Sequence, residues 1–264
     1  KSSNTDRIED FGYETTDLGM SLGTRFEQFE NLFFSPELDI SLEDLKTTSA
    51  ASTNLKKQAG NYEDFYFNYG LDYDLRNSPY KPSSGNKTSF YQTLPIVSSN
   101  NEIANTFVYT HYKKLDTETD MVGKLSLYMK AINSIDDSDV RISKRAKMPY
   151  NRLRGFEREK IGPKDGDDYI GGNYITTLNF STNLPGILST MENFDFSYFI
   201  DIGNVWGVDY DSAVDQSNFI RSSTGFGLDW ITPIGPLSFS LTQPITKKST
   251  DVTESFRFNL GTTF

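Results

Sequence analysis

A single histidine, His111, and two aspartate-dense segments are the residues whose types suit acid–base or metal chemistry. An imidazole can move a proton near neutral pH, as in the barrel-borne hydrolases of outer membranes. No serine or aspartate motif of such a hydrolase stands beside His111, however, and one histidine cannot make a multi-histidine metal site. Asp136, Asp137 and Asp139, and then Asp165, Asp167 and Asp168, look like fragments of a calcium loop. The chelating Glu of such a loop would stand twelfth from Asp165, where the chain has Thr176, so solvated acidic loops are expected. The absence of cysteine removes zinc-thiolate sites, iron–sulfur clusters, disulfides and thiol nucleophiles together. Gly225 and Gly227 lack the third glycine of a dinucleotide loop and fall inside an alternating run, where small interior-facing residues are the better account. No metal, no cofactor and no catalytic residue is expected. What remains is the run Arg152-Leu153-Arg154-Gly155-Phe156 inside a long polar segment; an Arg-Gly-Phe tripeptide is common, so its meaning depends on the elements around it.

Those elements must be strands. The chain has 264 residues, 36% hydrophobic and 14% aromatic, with a net charge of −10, and its mean hydropathy is −0.52. The negative charge repels a phosphate backbone, so nucleic acid is not an expected partner. The longest stretch without Asp, Glu, Lys or Arg, Tyr169 to Met191, is rich in Asn, Thr, Ser and Gly, which excludes an apolar membrane helix. Period-2 alternation dominates instead. Phe256, Phe258, Leu260, Thr262 and Phe264 interleave with Arg257, Asn259, Gly261 and Thr263, and Phe194, Phe196, Tyr198, Ile200 and Ile202 oppose Asp195, Ser197, Asp201 and Gly203. Phe65 to Leu75 alternates with Tyr66 to Arg76 in the same way.

Eleven strands are predicted, at about 12–27, 31–45, 61–77, 86–96, 102–115, 120–135, 171–184, 193–206, 219–232, 235–245 and 255–264. Most are ten to sixteen residues long, whereas strands of a soluble sandwich average about five or six. Short turns at 28–30, 116–119 and 233–234 alternate with long loops at 46–60, 136–170, 207–218 and 246–254. Long alternating strands with short connections on one side and long ones on the other are the pattern of an antiparallel transmembrane β-barrel. Bacterial barrels have even strand numbers, so an odd count predicts that strands precede Lys1, which is read as an internal starting point because no basic and apolar leader follows it.

The Arg152–Phe156 run is followed by Ile161-Gly162-Pro163-Lys164 and by Gly171-Gly172-Asn173 leading into a strand. Further on come Phe199-Ile200-Asp201-Ile202-Gly203-Asn204-Val205-Trp206, Gly235-Pro236-Leu237-Ser238-Phe239-Ser240 and the terminal Phe256-Arg257-Phe258-Asn259-Leu260-Gly261-Thr262-Thr263-Phe264. In this order the motifs resemble the BamA family of outer-membrane-protein assembly factors, over residues 61–264 by motif and 1–60 by strand pattern. The resemblance implies a sixteen-stranded barrel preceded by POTRA domains, of which residues 1–264 would be the C-terminal part of the barrel domain. It implies location in the bacterial outer membrane and insertion of other barrels by lateral gating and strand pairing, without catalysis. Unfolded outer-membrane proteins, outer-membrane lipid and accessory assembly lipoproteins are the implied partners. Arg154 matches the arginine that pairs with acidic residues of the lumen wall; Asp201 matches one of these, while Asn179 stands where the other would be. Phe264 matches the C-terminal assembly signal, with Phe256, Phe258, Leu260 and Gly261 in its strand. A TamA-like factor or a two-partner secretion pore would share the Arg-Gly loop, whereas a porin would share the alternation and terminal Phe without needing Arg154.

Overall fold

Residues with apolar side chains at every second position form strands here because the pleat sends successive side chains to opposite faces. The computed structural model describes residues 2–7, 11–116, 118–136, 138–185, 187, 193–210, 214, 216–232 and 235–260. The strands are β1 (Ser2–Arg7), β2 (Tyr13–Gly23), β3 (Phe26–Phe29), β4 (Leu32–Thr47), β5 (Gly60–Asp74), β6 (Gly85–Ser98), β7 (Glu102–Asp116), β8 (Met121–Ser134), β9 (Lys164–Asp165), β10 (Asp168–Tyr169), β11 (Tyr174–Asn183), β12 (Phe194–Trp206), β13 (Arg221–Thr232), β14 (Gly235–Thr246) and β15 (Phe256–Leu260). All pairing is antiparallel between chain neighbours in the order β1-β2-β4-β5-β6-β7-β8-β11-β12-β13-β14-β15, with β3 beside β4 and β9–β10 a separate hairpin. Within the described residues β1 and β15 end this path and do not pair with each other.

The path has twelve strands, not eleven. The additional one, β1, reads Ser2-Ser3-Asn4-Thr5-Asp6-Arg7 and has no apolar member, so periodicity could not reveal it; it is a strand because its backbone pairs with β2 from Ser2↔Leu18 to Arg7↔Tyr13. An even count removes the parity ground for strands before Lys1. The strand predicted at 12–27 is interrupted at Thr24-Arg25 and becomes β2 and β3. Gly261 and Phe264 of the terminal motif lie outside the described residues. Two register shifts lie opposite prolines: at Phe65/Tyr66 against β6, where Tyr66 faces Pro95, and at Ser222/Ser223 against β14, where Ser223 faces Pro244. Proline cannot donate a ladder hydrogen bond, and a bulge absorbs the missing link.

Polarity is inverted relative to a soluble sheet. Leu18, Met20, Leu22, Leu38, Ile40, Leu42, Phe226, Leu241, Phe256, Phe258 and Leu260 point outward and are exposed, whereas Glu43, Asp64, Asp72, Ser89, Ser126, Thr177, Asp201 and Ser223 point inward and are buried. So broad an apolar exterior would be an aggregation surface in water and is at home in hydrocarbon. A 14-residue strand such as β8 is about 46 Å long at ~3.3 Å per residue; tilted by about 45° it rises ~33 Å, enough for a hydrocarbon core of ~30 Å. No helix of the described residues is long and apolar enough to cross a membrane.

The apolar core is supplied by the long loop between β8 and β11, folded inside the curled sheet. Val140, Ala146, Met148, Leu153, Phe156 and Ile161 pack on Ile132 of β8, Ile175 of β11 and Val205 of β12. At the end of the sheet that carries the long loops, Ile142, Tyr169 and Ile170 pack with Phe11, Tyr13, Leu45, Leu55 and Val214.

Candidate luminal loop site

Arg154 is delivered to the inner wall by a loop that leaves β8 at Ser134 and returns at Tyr174. The turn through the motif needs Gly155, whose φ is +88° and whose Cα lies so close to β14 that a Cβ would meet Thr242 Cγ2 at 2.6 Å. Leu153 and Phe156, each 2% exposed, point into the loop core and leave the Arg154 side chain free to turn the other way. Its guanidinium donates in parallel from Nε to Asp201 Oδ2 at 2.7 Å and from Nη2 to Asp201 Oδ1 at 2.8 Å, and its backbone N–H donates to Oδ2 at 3.1 Å. Planar two-point capture of a carboxylate is the strong form of this bond.

Asp201 is fully buried, so its charge requires more than one partner to offset desolvation. Asn179 stands opposite it in the β11–β12 register. The Asn179 amide donates to Asp201 Oδ1 at 2.8 Å and to the Arg152 carbonyl at 2.6 Å, while its Oδ1 accepts from the Thr177 hydroxyl at 3.1 Å. Asn179 therefore does not act as a second acceptor for Arg154; as a donor it steadies the carboxylate and ties the loop backbone to the wall. One acid and one guanidinium leave the pair neutral.

The remaining stabilisation comes from a residue that alternation places on the inner face and to which its place in the motif assigned no role. Phe199, fully buried, lies two residues before Asp201, and the Arg154 guanidinium sits 3.3 Å from its ring centroid. Gly225 makes room for that ring: a Cβ there would meet Phe199 Cζ at 2.8 Å. Phe199→Leu keeps an apolar side chain but removes the π face. Loop docking should weaken by about 1–2 kcal/mol, read as faster protease cleavage within residues 136–170 of the membrane-inserted protein; an unchanged cleavage rate would refute a role for the ring.

Arg152 takes a separate position, with Nη1 donating to Ser126 Oγ at 2.8 Å and its guanidinium 5.0 Å from the Tyr128 ring centroid. Ser223 donates to the Arg154 carbonyl at 2.5 Å. Arg257 of β15, another residue not singled out from the sequence, donates to the carbonyls of Tyr150 and Phe156. Through such contacts one loop touches most of the wall. Arg141, fully buried, adds an ion pair with Asp64 on β5 and approaches Glu43 on β4 at 3.6 Å. Sequence reasoning passed over it because nothing in its surroundings marks an inward arginine.

His111 lies on the outer face, opposite Leu125 and stacked beside Tyr109 at 6.5 Å between ring centroids. The acidic segments serve turns. Asp136 accepts from the Ser134 and Ser138 hydroxyls and from Asn101, which holds its carboxyl below the ordinary range; Asp165 accepts from the Ser52 hydroxyl. Asp168 is raised, chiefly by burial and then by its neighbours Asp165 and Asp167. Asp137 is outside the described residues. Among those described, no three His or acidic side chains gather at one point.

Comparison with known proteins gives consistent results. The Omp85 superfamily domain matches residues 1–264. Outer membrane protein assembly factor BamA of Neorickettsia risticii (strain Illinois) is 28% identical over 148 residues, 55% of this chain and 20% of that protein. BamA of Neisseria meningitidis serogroup B is 32% identical over 142 residues, 42% of this chain and 17% of that protein. The chain thus spans at most about a fifth of these curated relatives in the matched region. The crystal structure of BamA from Haemophilus ducreyi lacking POTRA domains 1–3 superposes with a TM-score of 0.84 at 24% identity, over 97% of this chain and 56% of that one, which shows a shared fold.

Proposed function

Because the chain belongs to the Omp85 superfamily, as a BamA-type outer-membrane β-barrel protein, we propose that it is the C-terminal part of the barrel of an assembly factor that inserts other β-barrels into the outer membrane. Its clients would be unfolded outer-membrane proteins, with the lipid of that membrane and accessory assembly lipoproteins as its other partners. The observation that carries this reading is the Omp85 superfamily match over residues 1–264. The last described strand, β15, pairs with β14 from Leu237↔Leu260 to Leu241↔Phe256, and its far edge is where the first strand of the whole barrel would meet it and where a lateral gate would open.

Unpaired N–H and C=O groups are costly in hydrocarbon and are the natural template for an arriving strand. An incoming segment that pairs there gains its backbone hydrogen bonds at the moment it enters lipid. No covalent chemistry is required, since the driving force is backbone pairing together with burial of the client's outward apolar face. The Arg154–Asp201 pair would serve this by holding the loop as an internal strut that keeps the sheet curled while its edge is engaged.

Cross-linking tests the reading. Asn259→Cys in the full-length protein, with a client stalled during assembly and carrying single cysteines along its last strand, should give disulfides at alternating client positions. Cross-links no more frequent than those to a cysteine on central strand β8 would overturn it.

A further inference from the structure

The terminal strand is gripped from inside. β15 is described over Phe256–Leu260, and its strand partner among the described residues is β14. The segment leading into it is bonded to the luminal loop as well as to β14: Glu157 N–H donates to the Val252 carbonyl at 2.9 Å, Val252 N–H to the Lys160 carbonyl at 3.2 Å and Glu254 N–H to the Gly155 carbonyl at 3.1 Å, while the Ser255 carbonyl accepts from Thr242 N–H of β14 at 2.8 Å. Phe156 and Thr253 form an isolated bridge. Within β15, Arg257 lies opposite Ser240, a small residue that leaves its long side chain room to turn inward. One end of the guanidinium, Nη2, donates to the Phe156 carbonyl at 2.6 Å, Nη1 donates to the Tyr150 carbonyl, and Nε is held by Glu254. The two carbonyls lie on either side of the Arg152–Gly155 turn, so one side chain clasps both flanks of the turn that carries Arg154.

We propose that Arg257 is a positioning residue, a latch that couples the luminal loop to the terminal strand, so that the strand is released for pairing only when the loop flanks at Tyr150 and Phe156 draw away from it. A guanidinium is suited to this because its planar donor fork can serve two carbonyls and a carboxylate together, which an ammonium on a flexible stem does less well. With the latch closed the sheet edge is held inward against the loop. With it open, β15 keeps only its ladder to β14 and can swing outward with its edge exposed. This rests on the reading that the β15 edge receives client strands, and deepens it by naming what restrains that edge.

The test is amide hydrogen exchange on the full-length protein in vesicles of phosphatidylethanolamine and phosphatidylglycerol, with client assembly measured in parallel. Arg257→Gln should speed exchange at residues 256–260 at least tenfold while leaving β11–β12 amides as in the parent, and Arg257→Lys should restore only part of the protection. Unchanged exchange at 256–260 in a folded Arg257→Gln protein, or full protection in Arg257→Lys, would overturn the latch. Should Arg257→Gln not fold, Glu254→Ala leaves β15 itself intact and should speed the same amides severalfold; no change there would overturn the proposal. Faster exchange with unaltered client assembly would support the latch and count against the edge-pairing reading. Impaired assembly without faster exchange would overturn the latch and leave that reading standing.

Discussion

Replacing Asp201 by asparagine in the full-length protein is expected to free the luminal loop while leaving the strands paired. The substitution preserves shape and one acceptor, but it strips the carboxylate that, among the described residues, pairs with the Arg154 guanidinium, in a position where the acid is fully buried. Breaking one partner of a buried pair costs about 3–5 kcal/mol because the surviving charge is left uncompensated. Arg154 retains partial exposure at 23%, so the lower end, about 3 kcal/mol, is expected. The strands do not depend on this pair for their ladders. The loss should therefore appear as cleavage within residues 136–170 by added protease, with the heat-modifiable gel mobility of a folded barrel retained. A loop as resistant as the parent's would show that the pair does not hold it.

Gly155→Val should have an effect of similar size by an unrelated route. Valine at φ +88° is strained by about 1–2 kcal/mol, and its Cβ would lie 2.6 Å from Thr242 Cγ2, an overpacking cost of about 1–3 kcal/mol. Neither cost can be relieved locally, since Thr242 is part of β14 and β14 is paired on both sides. The loop turn should move off the wall, carrying Arg154 away from Asp201 and withdrawing the Phe156 carbonyl from Arg257. The expected result is loss of protease protection together with a fall in client assembly, measured as folded reporter barrel per cell. Alanine at the same position carries the strain and the same Cβ contact with Thr242 but lacks valine's two methyl groups, and should fall between the two; equal behaviour of valine and parent would exclude the close approach.

Alternation was legible in the chain because a membrane barrel writes its inside and outside into every second residue. Asp201 could be placed on the inner face from Phe194–Gly203 alone, and the outward set at Phe256, Phe258 and Leu260 was equally plain. β1 was not legible, since a strand of serine, asparagine, threonine, aspartate and arginine carries no apolar rhythm and exists through its partner's backbone. Phe199 was hidden for the opposite reason: apolarity on an inner face runs against the pattern, and only the guanidinium resting on it explains it. The bonds of Asn179 were not legible because an amide both donates and accepts, and which it does depends on neighbours that a linear reading cannot supply.

The sequence by itself determined the architecture, the membrane-facing surface and the positions of the long loops, all properties that depend on the local period of side-chain polarity and on turn length. Only the tertiary structure decided which further partners meet: that Arg154, whose pairing with Asp201 the family resemblance implied, also rests on Phe199, that Arg141 finds Asp64, and that Arg257 clasps the loop carbonyls. These contacts join residues 47, 45, 77 and about 100 positions apart. Pairing at such separations is set by the closure of the sheet around the loop and by the need of each buried charge for a counter-group, conditions of the assembled fold that leave no mark in the neighbourhood of any one residue.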